Sequence, residues 1–200
     1  MNDELSAEAA ALQPLAVGAP VPPRNDVETD GLAARTVLAS RKGIVLAEPV
    51  ATDEETLASR GDGAFDVDRE ADAGPLPIST PIGRACILDD VTGDLLGSVS
   101  WHAVGYGPAV SCLAWNIGIV LLPSARGRGV GSTATRLLAE HLFATTDVFR
   151  VELSTDVTNV AAQQTAQRAG FHREGVIRGA QLRKGRRRDL VGYSLLRSDL

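Results

Sequence analysis

The chain has 200 residues and a formal net charge of −5; 44% of its residues are hydrophobic, 4% aromatic and 22% charged. That length suits one domain with a real core, and no stretch approaches the roughly 18 consecutive apolar residues of a membrane span. The charge is too mild and the aromatics too few to argue for a nucleic-acid surface, so neither a membrane nor a nucleic acid is an expected partner.

Charge is unevenly spread. Residues 1–75 hold 15 acids against 6 bases, whereas residues 124–200 hold 13 bases against 7 acids. The basic C-terminal part suits an anionic ligand. The first residues are acidic and lack a basic segment followed by an apolar one, so no secretory signal is read and a cytoplasmic location is expected. Cys86 and Cys112 lie far apart in apolar runs and read as reduced core thiols.

Residues 1–30, rich in Ala, Pro and acids, read as a flexible arm; residues 31–200 read as a single domain. Ala33–Ser40 and Ile44–Val50 are expected as short strands around the turn Arg41-Lys42-Gly43. Asp53–Ser59 reads as a weak helix capped by Asp53. Gly61–Thr80 is acidic and rich in Gly and Pro, a loop long enough to cover a substrate. Gly83–Leu88 and Leu95–Val104 form a hairpin across turn residues 89–94, and Ala109–Leu122 supplies one or two further strands.

The next stretch organises the rest. Ile117–Leu122 is an apolar strand that Pro123 stops, followed by Arg126-Gly127-Arg128-Gly129-Val130-Gly131-Ser132. Beyond it Val130, Ala134, Leu137, Leu138 and Leu142 share one helix face. Glycine leaves no Cβ between backbone N–H groups and a ligand, and a helix N-terminus adds donors and partial positive charge, so the turn is a seat for a phosphate or pyrophosphate. Phe149–Ser154 is a strand, 158–169 a helix with Thr158 as cap and Gly170 as stop, and 174–182 and 189–197 are strands joined by Lys184-Gly185. The order makes a mixed α+β domain.

Gly129–Ala134 also fits a dinucleotide fingerprint, with Glu152 at a tolerable distance for a ribose contact. Against it, Pro123 to Arg128 separate the strand from the first glycine, and too little chain follows for a doubly wound sheet.

On these landmarks the chain resembles the GCN5-related N-acetyltransferases (GNAT), and within them the branch that acetylates protein N-termini, ribosomal ones included, and certain small amines. Arg126-Gly127-Arg128-Gly129-Val130-Gly131 meets the acyl-CoA signature; Asn159, Gly170-Phe171 followed by Glu174-Gly175, and Arg188-Asp189 match the branch. The resemblance covers residues 82–200 well and 30–81 poorly. It implies a mixed central sheet splayed at the acyl-CoA site and flanked by helices. It also implies acetyl-CoA or another acyl-CoA as co-substrate with no metal, an amine acceptor (a protein N-terminus or a small molecule such as an antibiotic), and a monomer or homodimer. Arg126, Gly127, Arg128, Gly129, Gly131 and Ser132 would hold the pyrophosphate, the edge at Ile119 and Leu121 the pantetheine arm, and Asn159 would lie near the sulfur.

The family's acid–base positions are neutral or apolar here. Ala166 stands where many relatives have an acidic tyrosine, Ala162 where the branch has a serine, Gln181 where it has a carboxylate, and Asn116 where a glutamate often stands. Proximity and orientation alone contribute roughly 7–11 kcal/mol, so catalysis remains open, with His102 and Asn116 as candidates and the Leu121 N–H for an oxyanion. A non-catalytic or weakly active acyl-CoA or protein-binding module is the alternative. His141 and His172 read as surface residues, Trp101 and Trp115 as core or pocket wall. The run Arg183–Arg188 is either a solvated turn or a recognition surface for an acidic acceptor or carrier protein.

Overall fold

Alternation and turn chemistry build most of the molecule. A computed structural model describes residue 32, residues 35–67 and residues 82–200; the N-terminal arm and the rest of the expected 61–80 loop lie outside them. Strands β1 (Val37–Arg41) and β2 (Ile44–Ala47) turn on Lys42 and Gly43 at φ 47° and 82°, the paired left-handed angles a two-residue hairpin needs. β2 stops at Ala47 rather than Val50, because Pro49 follows. Helix α1 covers Ala51–Arg60, then come β3 (Ile82–Asp89), β4 (Leu95–Gly105), β5 (Leu113–Leu121), α2 (Val130–Thr145), β6 (Arg150–Asp156), α3 (Val160–Arg168), β7 (His172–Arg183) and β8 (Arg186–Leu196). Lys184 and Gly185, at φ 51° and 67°, repeat the hairpin turn, and both final strands extend beyond their expected starts.

The strands form one eight-stranded sheet in the order β1-β2-β3-β4-β5-β6-β8-β7. Among the described strands only the β5–β6 pair is parallel. α2 lies across one face and buries the five expected residues with Ala139 and Phe143 against Val99, Ile117 and Val151. Leu138 is fully buried, and truncating such a leucine to alanine costs about 2–5 kcal/mol. A smaller cluster, Leu32, Val45, Ala47, Cys86 and Leu88, forms separately, so β2 is buried on both sides.

Four cap and burial expectations are corrected. Asp53 does not begin α1: it sits in the first turn, where Oδ2 accepts the Val50 N–H at 2.8 Å. Its carboxylate is buried and takes two hydrogen bonds from Arg35, at 2.5 and 2.9 Å, and the Cys86 thiol at 3.1 Å. The Arg35 guanidinium holds Asp53 at about 2, while burial beside that carboxylate pushes Cys86 up to about 12. α3 is capped by Asn159, whose Oδ1 accepts the Ala162 N–H at 3.1 Å; Thr158 instead donates to Asp156 at 2.6 Å. Cys112 is only half-buried, unlike Cys86; both are free. His141 is half-buried, and that burial lowers its pKa; His172 is exposed as expected.

Candidate active site

The turn after β5 is shaped by glycines with different tasks. Gly127 and Gly129 hold φ 75° and 81°, angles that favour glycine. A Cβ built on either would meet nothing within 4 Å, so both face open space. Gly129 precedes α2, whose N-terminus receives no side-chain cap. The first N–H groups of a helix have no intrahelical partners, so the turn presents uncommitted donors at the positive end of a 16-residue helix. Gly131 is buried beneath: its Cβ would come within 3.2 Å of Thr165 and 3.3 Å of Leu121. Its missing side chain lets α2 close on α3.

The side chains of this motif are partly committed. Ser132 Oγ donates to the Gly129 carbonyl at 3.0 Å. Arg126 places Nε and Nη2 on the Leu121 carbonyl, at 3.2 and 3.0 Å, and forms an ion pair with Asp62. Arg128 is exposed. What the turn could offer an anion is therefore chiefly main chain.

Beside the turn the sheet parts. β5 pairs with β4 from Leu113 to Leu121, but with β6 only at Ala114–Arg150, Trp115–Val151 and Asn116–Glu152. β6 continues to Asp156 on β8 alone. From Ile117 onward, Ile119 and Leu121 included, the other edge of β5 lacks a neighbouring strand. Such an edge can receive an extended amide chain as a further strand would. Donors at the turn and an open edge beside it fit a pyrophosphate joined to an amide arm.

Where the strands part, polar groups converge. Asn116 Nδ2 donates to Glu152 Oε1 at 3.3 Å; Tyr106 Oη and Arg150 Nε donate to Oε2 at 2.5 and 2.9 Å. Arg150 also grips Glu174 with two bonds, and Ser194 donates to the same carboxylate at 2.8 Å. Arg150 above all holds Glu174 at about 2; the Glu152 bond raises the Tyr106 pKa. Tyr106, Asn116, Glu152 and Ser154 line a cleft here. His102 is the cross-strand neighbour of Asn116 on β4, so His102, Asn116 and Glu152 form one row across three strands.

Glu152 and Tyr106 have no place among the acid–base candidates read from sequence. The alternation Arg150-Val151-Glu152-Leu153-Ser154 marks a two-faced strand, the one local signal pointing to Glu152. Ala166 is 1% exposed and belongs to the core, Ala162 is half-buried on α3, and Gln181 Oε1 accepts from Arg183 at 2.8 Å. Asn159 spends its Oδ1 on the cap, leaving its amide N–H donors for a ligand. Trp101 packs against the main core over Gly83, where a Cβ would lie 2.0 Å from the indole; Trp115 packs there too and donates to Thr146 at 3.2 Å. Among the described residues no three His, Cys, Asp or Glu side chains gather as a metal site, and no helix is long and apolar enough to cross a membrane.

Comparison with known proteins agrees with this geometry. The family profile of the acetyltransferase (GNAT) domain matches residues 70–172. The chain is 31% identical over 107 residues, 54% of its length and 56% of the relative's, to YdaF of Bacillus subtilis (strain 168), a candidate ribosomal N-acetyltransferase. It spans about half the length of the curated relatives it matches, 45% and 56%. Mycobacterium smegmatis RimJ, solved with CoA-disulfide, superposes with TM-score 0.66 over 85% of this chain and 90% of that one at 14% identity. Vibrio cholerae spermidine N-acetyltransferase, solved with CoA and spermine, gives 0.64 over 80% and 98% at 16% identity. At those identities the likeness carries the fold alone.

Proposed function

The chain belongs to the GNAT acetyltransferase family, and from that premise we propose that it transfers an acyl group, acetyl foremost, from acyl-CoA to a primary amine. One observation carries the reading: an uncapped helix N-terminus behind two open, left-handed glycines adjoins a strand edge that has lost its neighbour. The N–H groups of residues 126–132 receive the pyrophosphate, and the β5 edge near Ile119 holds the pantetheine arm. Two fold neighbours solved with CoA or its disulfide support a CoA-based co-substrate. Asn159, by the family resemblance, lies near the sulfur.

Bound acyl-CoA supplies the activated acyl carbon and a thiolate leaving group. The residues of this chain orient the amine and handle its proton. Glu152 offers a carboxylate where β5 and β6 part, with Asn116 and Tyr106 hydrogen-bonded to it. It takes the proton released as the C–N bond forms and the C–S bond breaks, directly or through Tyr106; water reprotonates the thiolate. His102 is the second candidate for the base, and the Leu121 N–H the donor for charge developing on the acyl oxygen. The acceptor is a protein N-terminus or a small amine, attacking directly in a ternary complex.

Incubation with acetyl-CoA and an amine panel, followed by free-thiol assay, tests the reading. We expect amine-dependent thiol release above the uncatalysed rate. Acetyl-CoA binding without turnover for any amine would instead establish a binding module, the reading favoured by Ala162, Ala166 and Gln181. Absence of acetyl-CoA binding by calorimetry would overturn both.

A further inference from the structure

The final hairpin turns part of its basic run inward, on the sheet face that carries Glu152. Arg183 is 7% exposed, with Nη1 2.6 Å from Asp156 Oδ2 and Nη2 2.8 Å from Gln181 Oε1. The Phe65 ring covers it, 5.3 Å from the guanidinium carbon. Two donors remain unspent: Arg183 Nε and Arg188 Nε are buried without a hydrogen-bond partner among the described residues. A buried donor left unpaired costs free energy that an arriving acceptor atom would recover.

The carboxylates nearby do not fill that need. Asp156 is committed to Arg183 and Thr158, and Asp189 Oδ1 accepts the Gly179 N–H at 2.8 Å. Gln181 stands opposite Arg188, and Asp156 opposite Leu190. Alternate residues of a strand share a face, so Gln181, Arg183, Arg188 and Asp156 lie on the same face as Glu152. The family resemblance puts a carboxylate at the position of Gln181; here that place is neutral and backed by two arginines.

Resting on the acyl-transfer reading above, we infer that the acceptor is an acidic polypeptide N-terminus, its amine at Glu152 and its carboxylate on Arg188, with Arg183 behind. Glu152 and Asp156 are four residues apart on one strand, about 13 Å. An extended peptide covers at most ~3.6 Å per residue, so the side chain of its third or fourth residue reaches the arginines. A small amino acid cannot span that distance, and a polyamine would bring positive charge to them.

Tetrapeptide amides Ala-Ala-Glu-Glu, Ala-Ala-Gln-Gln and Ala-Ala-Lys-Lys, with glutamate and spermidine, test this on the full chain with saturating acetyl-CoA. We expect kcat/KM for the acidic peptide at least about tenfold above the neutral one, a charge-assisted hydrogen bond's worth, and the basic peptide and spermidine lowest. Arg188→Gln should bring the acidic and neutral peptides within about threefold of each other. Arg186→Gln, an exposed arginine of the same run, should keep the preference, separating the site from general surface charge. Equal rates, a basic preference, faster glutamate, or a preference that survives Arg188→Gln would overturn the inference. So would a CoA-binding protein that acetylates none of these acceptors. Failure to bind acetyl-CoA at all would instead remove the acyl-transfer reading beneath it.

Discussion

Arg126 joins two parts of the chain that sequence separates by more than sixty residues: its guanidinium takes both carboxylate oxygens of Asp62, at 2.5 and 2.9 Å, while closing on the Leu121 carbonyl. The first arginine of the glycine motif thus anchors the segment that follows α1, and Phe65 of that segment reaches Arg183 on the far side of the parted strands. The stretch 61–67 runs between the glycine turn and the final hairpin. The guanidinium holds Asp62 at about 2. The pair is surface-exposed, so its removal should leave the melting temperature within about 2 °C. Asp62→Ala should instead accelerate tryptic cleavage after Arg60 several-fold. An unchanged cleavage rate would show that the contact does not restrain the segment.

Gly129 and Gly131 should respond oppositely. Gly129→Asp places a carboxylate in open space beside the turn, at a cost of roughly 1–2 kcal/mol for the left-handed backbone. Acetyl-CoA affinity should fall at least about 100-fold through charge repulsion at the phosphate seat. Gly131→Ala crowds Thr165 and Leu121 and should lower stability by about 1–3 kcal/mol. Calorimetric titration and thermal melts separate the two; undiminished affinity in folded Gly129→Asp is the contrary result.

Glu152→Gln keeps one oxygen acceptor for Tyr106 and Arg150, which share Oε2 in the native chain, but loses the basic carboxylate. Its kcat should fall by about 10²–10⁴, with acetyl-CoA affinity within a factor of about two, since the glycine turn is untouched. If His102→Gln shows the larger loss between pH 6 and 8, the proton passes through the imidazole instead.

Asp53 sets part of the acid limit of stability. Its folded value of about 2 lies below the model-compound 3.8, chiefly through Arg35. A depressed carboxyl stabilises the fold fully above its unfolded pKa and loses that contribution as pH falls through the folded one. About 2 kcal/mol should therefore disappear between roughly pH 4 and 2. In thermal melts the gap between the native chain and Asp53→Asn should be constant above pH 4 and narrow across that window. A gap unchanged at pH 2 would mean Asp53 is not held by Arg35 in solution.

Whatever rests on a few neighbouring residues was readable from the chain itself. Lys42-Gly43 and Lys184-Gly185 permit the left-handed angles of tight hairpins, the helical spacing from Val130 to Leu142 names its buried face, and Gly127 and Gly129 announce a turn with left-handed angles. These follow from local backbone sterics and periodicity, which short segments express. Other facts depend on register between distant strands. Asn116 meets Glu152 only because β5 and β6 run parallel with α2 between them in sequence, and Arg126 meets Asp62 only because the chain after α1 crosses to the glycine turn. The same long-range packing sets Gly131 against Thr165 and Leu121 and puts Ala166 in the core. Side chains brought together across the sheet have no fixed spacing along the chain, and three-dimensional packing alone could assemble the row that ends in Glu152.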